Sequence, residues 1–183
     1  NLDDKNIKII KRKNVDNFET FSNIKIALKK LSKDYVFFNS TPPKFHYLTT
    51  KLILTSGFNV IVEKPLCLNV NQLEKLGSIA KKKKLFMFEN MMYFYSNQFN
   101  FLKKLLNKKK IEKIEKIDIK FSIPNFSKKS FRAENNLHSS ILYDMGCYPF
   151  SLVSYFGFNY KKFKVSYKTK NRKLNYINIL FKS

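Results

Sequence analysis

Two kinds of segment alternate through the first half of this chain, and together they leave few folds open. Short β-branched or aromatic runs at 7–11, 35–39, 59–62 and 85–88 are separated by stretches of helical periodicity at 24–31, 45–55 and 71–83. Strands that alternate with amphipathic helices build βαβ units, and stacked βαβ units make a parallel sheet. The run 35–39 is apolar almost without a break, which predicts a strand buried on both faces. It ends in Ser40-Thr41-Pro42-Pro43, where proline cannot continue a ladder and the chain must leave the sheet. Pro65 breaks the 59–62 strand in the same way. Gly57, after the 45–55 helix, suits a left-handed cap.

Beyond Glu89 the rhythm changes. A helix is expected at 98–106, then a strand at 114–123 in which Lys116, Asp118 and Lys120 alternate with Ile117, Ile119 and Phe121. One wet face suits an antiparallel sheet, to which 165–169 and 176–181 add strands. The expected fold class is therefore an α/β Rossmann-type parallel sheet, N-terminally truncated, followed by part of an α+β domain with a mostly antiparallel sheet. The boundary falls between Glu89 and Ser96, giving a dinucleotide-binding unit at 1–92 and a substrate or oligomerisation unit at 93–183. A single apolar helix is predicted over 139–156, kinked at Pro149, which lacks the N–H and crowds the carbonyl of Met145.

The net charge of +23 raises nucleic acid as a partner, since a basic surface attracts phosphates. The composition argues against it. Arg12, Arg132 and Arg172 are the only arginines, and the remaining positive charge is lysine spread along helices beside Asn, Ile and Phe. Specific nucleic-acid sites favour the bidentate fork of arginine. The clusters Lys81–Lys84 and Lys108–Lys110 fall at expected helix C-termini, where cations offset the unpaired carbonyls. Cys67 and Cys147 have no Cys-x-x-Cys or Cys/His spacing, and His46 and His138 lie far apart, so neither a disulfide framework nor a metal is expected. No apolar run reaches membrane-spanning length, and the charged start is not a signal peptide. The expectation is a cytoplasmic protein without a membrane or nucleic-acid partner.

Three segments carry chemistry. Open parallel sheets bind ligands outside the carboxyl ends of their strands, and two such ends read Asn39-Ser40-Thr41-Pro42-Pro43 and Glu63-Lys64-Pro65. A lysine just past a buried strand and pinned by proline is held near the crevice, although in a lysine-rich chain Lys64 alone reads equally as a solvated loop residue. The third segment is Asp144-Met145-Gly146-Cys147-Tyr148. Asp144 and Tyr148 are spaced to share a helix face, and Gly146 beside them lets a ligand approach closely. An acid and a phenol on an apolar helix are also consistent with a satisfied buried pair.

In order and spacing, Thr41-Pro42-Pro43-x-x-His46, then Gly57-Phe58-Asn59-Val60-Ile61-Val62-Glu63-Lys64-Pro65-Leu66, then Asp144-x-Gly146-x-Tyr148 resemble the glucose–fructose oxidoreductase/inositol dehydrogenase (Gfo/Idh/MocA) family. The resemblance runs from about Ile7 to the end of the chain. It implies a Rossmann domain for a nicotinamide cofactor and an α+β domain whose open sheet often forms the oligomer interface, hence a homo-oligomer when complete. By position, Lys64 matches the family's catalytic and cofactor-contacting lysine, and Asp144 its substrate-binding acid. Tyr148 stands where many members have histidine and others tyrosine. A phenol is a poor acid–base group near neutral pH until an ammonium stabilises its phenolate, which Lys64 would do. The expected catalytic set is Lys64, Tyr148 and Asp144. The expected cofactor contacts are Arg12, Ser40, Thr41, Pro42, His46, Glu63, Lys64, Pro65 and Asn90, the last within Glu89-Asn90-Met91-Met92-Tyr93, which resembles the segment crossing between domains.

The implied activity is hydride transfer between NADP or NAD and a hydroxyl or keto carbon of a sugar or nucleotide-sugar. NAD sites usually present an acid to the ribose 2′-hydroxyl after the second strand, and here that end reads Ile10-Lys11-Arg12-Lys13, which favours NADP. Two features depart from the family pattern. Leu137-His138-Ser139-Ser140 replaces its Gly-rich approach to the Asp motif. The glycines are Gly57, Gly77, Gly146 and Gly157, so no G-x-G-x-x-G exists. By the family pattern the first strand, glycine loop and first helix lie before Asn1, and the chain is expected to be a fragment or a degenerate copy. The alternatives are a family-like binding protein without turnover and a basic nucleic-acid-binding protein.

Overall fold

Three parallel strands form the centre of the described fold. In the computed structural model the described residues are 8–10, 19–107, 118–121, 140–156, 162–170 and 173–182. The elements run β1 (Lys8–Ile10), β2 (Glu19–Phe21), α1 (Ile24–Lys30), β3 (Val36–Asn39), α2 (Pro43–Thr55), β4 (Asn59–Glu63), α3 (Val70–Lys83), β5 (Met87–Asn90), a 3-10 turn (Met92–Tyr95), α4 (Asn97–Asn107), α5 (Ile141–Met145), α6 (Cys147–Tyr155), β6 (Lys162–Lys170) and β7 (Lys173–Lys182). β1 and β2 pair in parallel, β3, β4 and β5 make the parallel sheet in that order, and β6 and β7 pair antiparallel. The parallel-then-antiparallel organisation read from the sequence is what the chain adopts.

Local chemistry sets the element ends. Asn23 caps α1 by accepting from the Ile26 N–H, and Asn69 caps α3 by accepting from the Gln72 N–H, while Gln72 reaches back to the Leu68 N–H. Each such cap stabilises a helix by about 1 kcal/mol. α2 begins at Pro43, where the missing N–H costs nothing, and Gly57 follows its end at φ 84°. α3 carries Lys81, Lys82 and Lys83 in its last turn and closes on Lys84 in the left-handed conformation, φ 56°. Lys108–Lys110 lie outside the described residues.

Inward residues of the sheet, Phe37, Val60 and Val62, pack with Ala27 and Leu28 of α1, Ile53 and Leu54 of α2, Leu76 and Ala80 of α3, and Phe58 and Leu66. Phe58 meets Phe37 edge-to-face at 5.0 Å. The two-sided burial expected for 35–39 is not found. β3 alternates instead, with Phe37 and Asn39 buried while Val36 is 43% and Phe38 54% exposed. α1, α2 and α3 all contribute to one core on one side, so among the described residues the opposite face keeps its apolar side chains near water.

The second half differs from expectation in two places. Residues 118–121 are described without strand pairing, and the rest of the predicted 114–123 strand lies outside the described residues. The predicted 139–156 helix is two helices, α5 and α6, that meet at Gly146. Pro149 falls in the first turn of α6, where its missing N–H has no partner to lose, and the break lies at Gly146, beside the Met145 carbonyl. Ser140 begins α5 as its cap.

Candidate active site

The ends of β3, β4 and β5 lie side by side because the parallel register aligns Asn39 with Val62 and Glu63 with Asn90. From the end of β4 the chain turns through Lys64 and a cis Lys64–Pro65 peptide. Lys64 reaches Asp144 on α5: its ammonium donates to Asp144 Oδ1 at 2.8 Å and to the Asp144 backbone carbonyl. The side chains are 10% and 4% exposed, so this is a buried ion pair. Removing one partner of such a pair typically costs about 3–5 kcal/mol, because the other is left as an uncompensated charge. The same ammonium sits 4.9 Å from the centre of the Tyr148 ring, a cation–π distance. Tyr148 is stacked on Phe121 at 5.0 Å with ring planes 3° apart, and Tyr93 meets it edge-on at 5.9 Å.

Lys64, Asp144 and Tyr148 are thus brought together, although the first two stand 80 residues apart in sequence. A second bond docks the same helix, from the Tyr143 hydroxyl to the Leu68 carbonyl at 2.9 Å. Gly146 serves this packing. A Cβ there would fall 2.2 Å from the Leu142 carbonyl oxygen and 3.2 Å from the Phe150 ring, so the glycine permits the α5–α6 junction rather than the approach of a ligand expected from the sequence.

The turn bearing Lys64 is anchored on both sides. Asn90 Nδ2 donates to Glu63 Oε1 at 2.7 Å, and the Leu66 N–H donates to Glu89 Oε1 at 2.7 Å. His46, 1% exposed, places Nδ1 2.7 Å from the Pro65 carbonyl and Nε2 2.6 Å from the Thr41 carbonyl. Ser40 and Pro42 are exposed on the rim and Thr41 is half-buried. Arg12 lies outside the described residues. Neither the expected catalytic set nor the expected cofactor contacts include Asn39, Thr50, Tyr93, Phe121 or Tyr143, although Asn39 and Tyr93 stand in segments that the sequence marked.

Burial raises the Cys147 thiol to about 11, opposed by the Lys64 ammonium and assisted by Glu89 and Asp144. Burial also raises the Cys67 thiol and the Tyr93 phenol. Among the described residues no group of three or more His, Cys, Asp or Glu side chains is placed to hold a metal, and no helix is long and apolar enough to cross a membrane.

Residues 5–91 match the model of the GFO_IDH_MocA oxidoreductase family, NAD-binding Rossmann fold. The chain is 26% identical over 113 residues to dTDP-3,4-didehydro-2,6-dideoxy-alpha-D-glucose 3-reductase of Streptomyces violaceoruber, covering 62% of this chain and 33% of that protein. It is 26% identical over 121 residues to trans-1,2-dihydrobenzene-1,2-diol dehydrogenase of Xenopus tropicalis, covering 66% and 36%. The chain therefore spans about a third of the length of these curated relatives. Among solved structures, yvaA from Bacillus subtilis superposes with a TM-score of 0.75 at 18% identity, over 90% of this chain and 46% of that one. The 3-ketoreductase KijD10 from Actinomadura kijaniata, in complex with NADP and TDP-benzene, superposes with a TM-score of 0.67 at 22% identity, over 82% and 49%. Residues 5–91 thus match the Rossmann segment of the Gfo/Idh/MocA oxidoreductase family, and the folds of these structures superpose on most of the chain.

Proposed function

We propose that this chain carries the catalytic end of an NAD(P)-dependent oxidoreductase that acts on a hydroxyl or keto carbon of a sugar or nucleotide-sugar. The observation that carries the reading is the single ammonium, delivered by the end of a parallel strand, that lies between a buried carboxylate and a tyrosine ring. The reductase relative of Streptomyces violaceoruber and the TDP-benzene complex of KijD10 support a nucleotide-linked substrate.

The donor set fits one end of a nicotinamide cofactor. At the strand ends stand Glu63 and Asn90, with Ser40, Thr41 and Pro42 on the rim and Lys64 next to Glu63 in the chain. These residues would hold the nicotinamide half, with Pro65 shaping the turn; the sequence has no glycine loop, so none of them is assigned to the pyrophosphate. When bound, the cofactor supplies or accepts the hydride. The protein's own part is positioning and proton transfer. Asp144 orients the sugar hydroxyls, the Tyr148 hydroxyl gives or takes the proton at the reacting oxygen, and the Lys64 ammonium stabilises the phenolate so formed. Arg12, just past β1, would favour the 2′-phosphate of NADP.

The division at 92/93 into a cofactor unit and a substrate unit is part of the same reading. So is assembly with a second copy through the β6–β7 hairpin, where Val165, Tyr167, Tyr176 and Leu180 are exposed. Incubating the complete protein with reduced NADP or NAD and a panel of keto nucleotide-sugars tests the reading. Substrate-dependent oxidation, faster with NADP, is expected. Binding of both ligands without turnover would instead assign the chain to the family-like binding proteins.

A further inference from the structure

Four polar or charged side chains are buried among the described residues, and three of them, Asn39, His46 and Thr50, form one network beneath the end of β3. Asn39 Nδ2 donates to Thr50 Oγ1 at 3.0 Å and to the His46 carbonyl at 3.3 Å, while its Oδ1 accepts from the Thr41 hydroxyl at 2.8 Å and the Thr41 N–H at 3.3 Å. An apolar side chain would fill the same space without needing partners, so a polar one buried this deeply is tied to what it holds. His46 holds two turns at once. Its ring nitrogens face the carbonyls of Thr41, in the turn after β3, and of Pro65, in the turn after β4. Both partners are acceptors and a neutral imidazole carries one N–H, so the ring donates to one carbonyl and packs its other edge against the second, and its rigid width makes it a strut between the turns.

The second turn is the one that carries Lys64. Three residues around that lysine are anchored separately: Glu63 by Asn90, Pro65 by His46 and Leu66 by Glu89. Glu89 and Asn90 are borne by β5, whereas His46 is borne by α2 and ties the turn to the opposite neighbour. His46 is 1% exposed and both ring nitrogens face backbone carbonyls, so its ring is turned to the two turns and not to a ligand. We propose that His46 is a positioning residue for Lys64: it locks the Lys64–Pro65 turn against the Thr41 turn, so that the ammonium arrives between Asp144 and Tyr148. The proposal rests on the reading of Lys64 as the catalytic lysine.

A double-mutant cycle in the complete protein tests it, using His46→Leu, Lys64→Met and both together, with His46→Gln as the variant that keeps one donor. Misplacing a reacting group by about 1 Å costs roughly 100-fold in rate, so His46→Leu should lower kcat on that scale while changing the KM for the sugar far less. In the Lys64→Met background it should cost nothing further, and His46→Gln should recover part of the loss. Losses that multiply fully would show that His46 acts on the fold and not through Lys64, and would overturn the proposal. A second measurement is independent of turnover: acylation of individual lysines, followed by mass spectrometry. His46→Leu should speed labelling of Lys64 several-fold and leave exposed Lys25 unchanged; unchanged labelling of Lys64 would overturn the strut. A wild-type protein without turnover, combined with altered Lys64 labelling in the variant, would sustain the strut and remove the oxidoreductase reading.

Discussion

Lys64 holds two contacts whose chemistry pulls in different directions. The carboxylate of Asp144 anchors the ammonium, while the face of Tyr148 draws the same charge toward the phenol. Replacing Tyr148 by Phe keeps the stacking on Phe121 and the cation–π contact and removes only the hydroxyl. Turnover should fall by roughly 100-fold or more, the scale of lost acid–base catalysis, with thermal stability little changed. Lys64→Met should lower turnover similarly but also destabilise, because Asp144 is left as a buried charge; steady-state kinetics and thermal melts on the same samples separate the two.

Cys147 makes a further test at the residue scale. With its thiol raised from 9.0 to about 11, the thiolate is scarce at pH 8, so alkylation by iodoacetamide should run about 100-fold slower in the folded chain than in the denatured one. The sign for stability follows. The folded-state value lies above the unfolded one, so the thiol's contribution is fully present below pH 9.0 and is lost as the pH rises toward 11. A folded chain whose Cys147 alkylates at the denatured rate at pH 8 would contradict the buried placement of the thiol.

At the scale of elements, the sequence was most legible where local rules act alone. The polar turns after β3 and β4 were marked by proline, the C-terminus of α2 by Gly57, and that of α3 by its lysines, and each lies where those residues placed it. Legibility failed where a neighbour distant in sequence decides. Thr50 and Asn39 meet only because α2 folds back over β3, and Phe121 stacks on Tyr148 although the two are far apart in sequence. Gly146 serves packing for a different, local reason. Its neighbours Leu142 and Phe150 belong to two helices that the apolar run 139–156 conceals as one. Gly146→Ala should therefore destabilise the protein by about 1–3 kcal/mol, the range for overpacking, and shift α5 away from the Lys64 turn. Denaturant unfolding reads the first effect and loss of turnover the second; an alanine variant as stable and active as the wild type would show that the junction tolerates a side chain.

For the molecule as a whole, one core supports a site at its edge while, among the described residues, the opposite face of the sheet is open. Phe38 and Phe88, aligned across Ile61, are 54% and 40% exposed. Such a row, carried by a chain of net charge +23, favours association through the apolar patch against the repulsion of like charges. The 183-residue chain should bind a hydrophobic dye strongly, and Phe38→Lys should weaken that binding without lowering the melting temperature. A large fall in melting temperature would mean that Phe38 is buried in solution.

The central claim, that the strand-borne lysine, its buried acid and the tyrosine form a hydride-transfer site for a sugar carbon, has a direct measurement. The complete protein is given reduced nicotinamide cofactor deuterated at C4 together with a keto nucleotide-sugar, and the sugar product is analysed by mass spectrometry and NMR. Deuterium is expected at the newly formed carbinol carbon, with transfer by the Tyr148→Phe variant slower by roughly 100-fold or more. Product without the label, or equal rates for the two proteins, would contradict it.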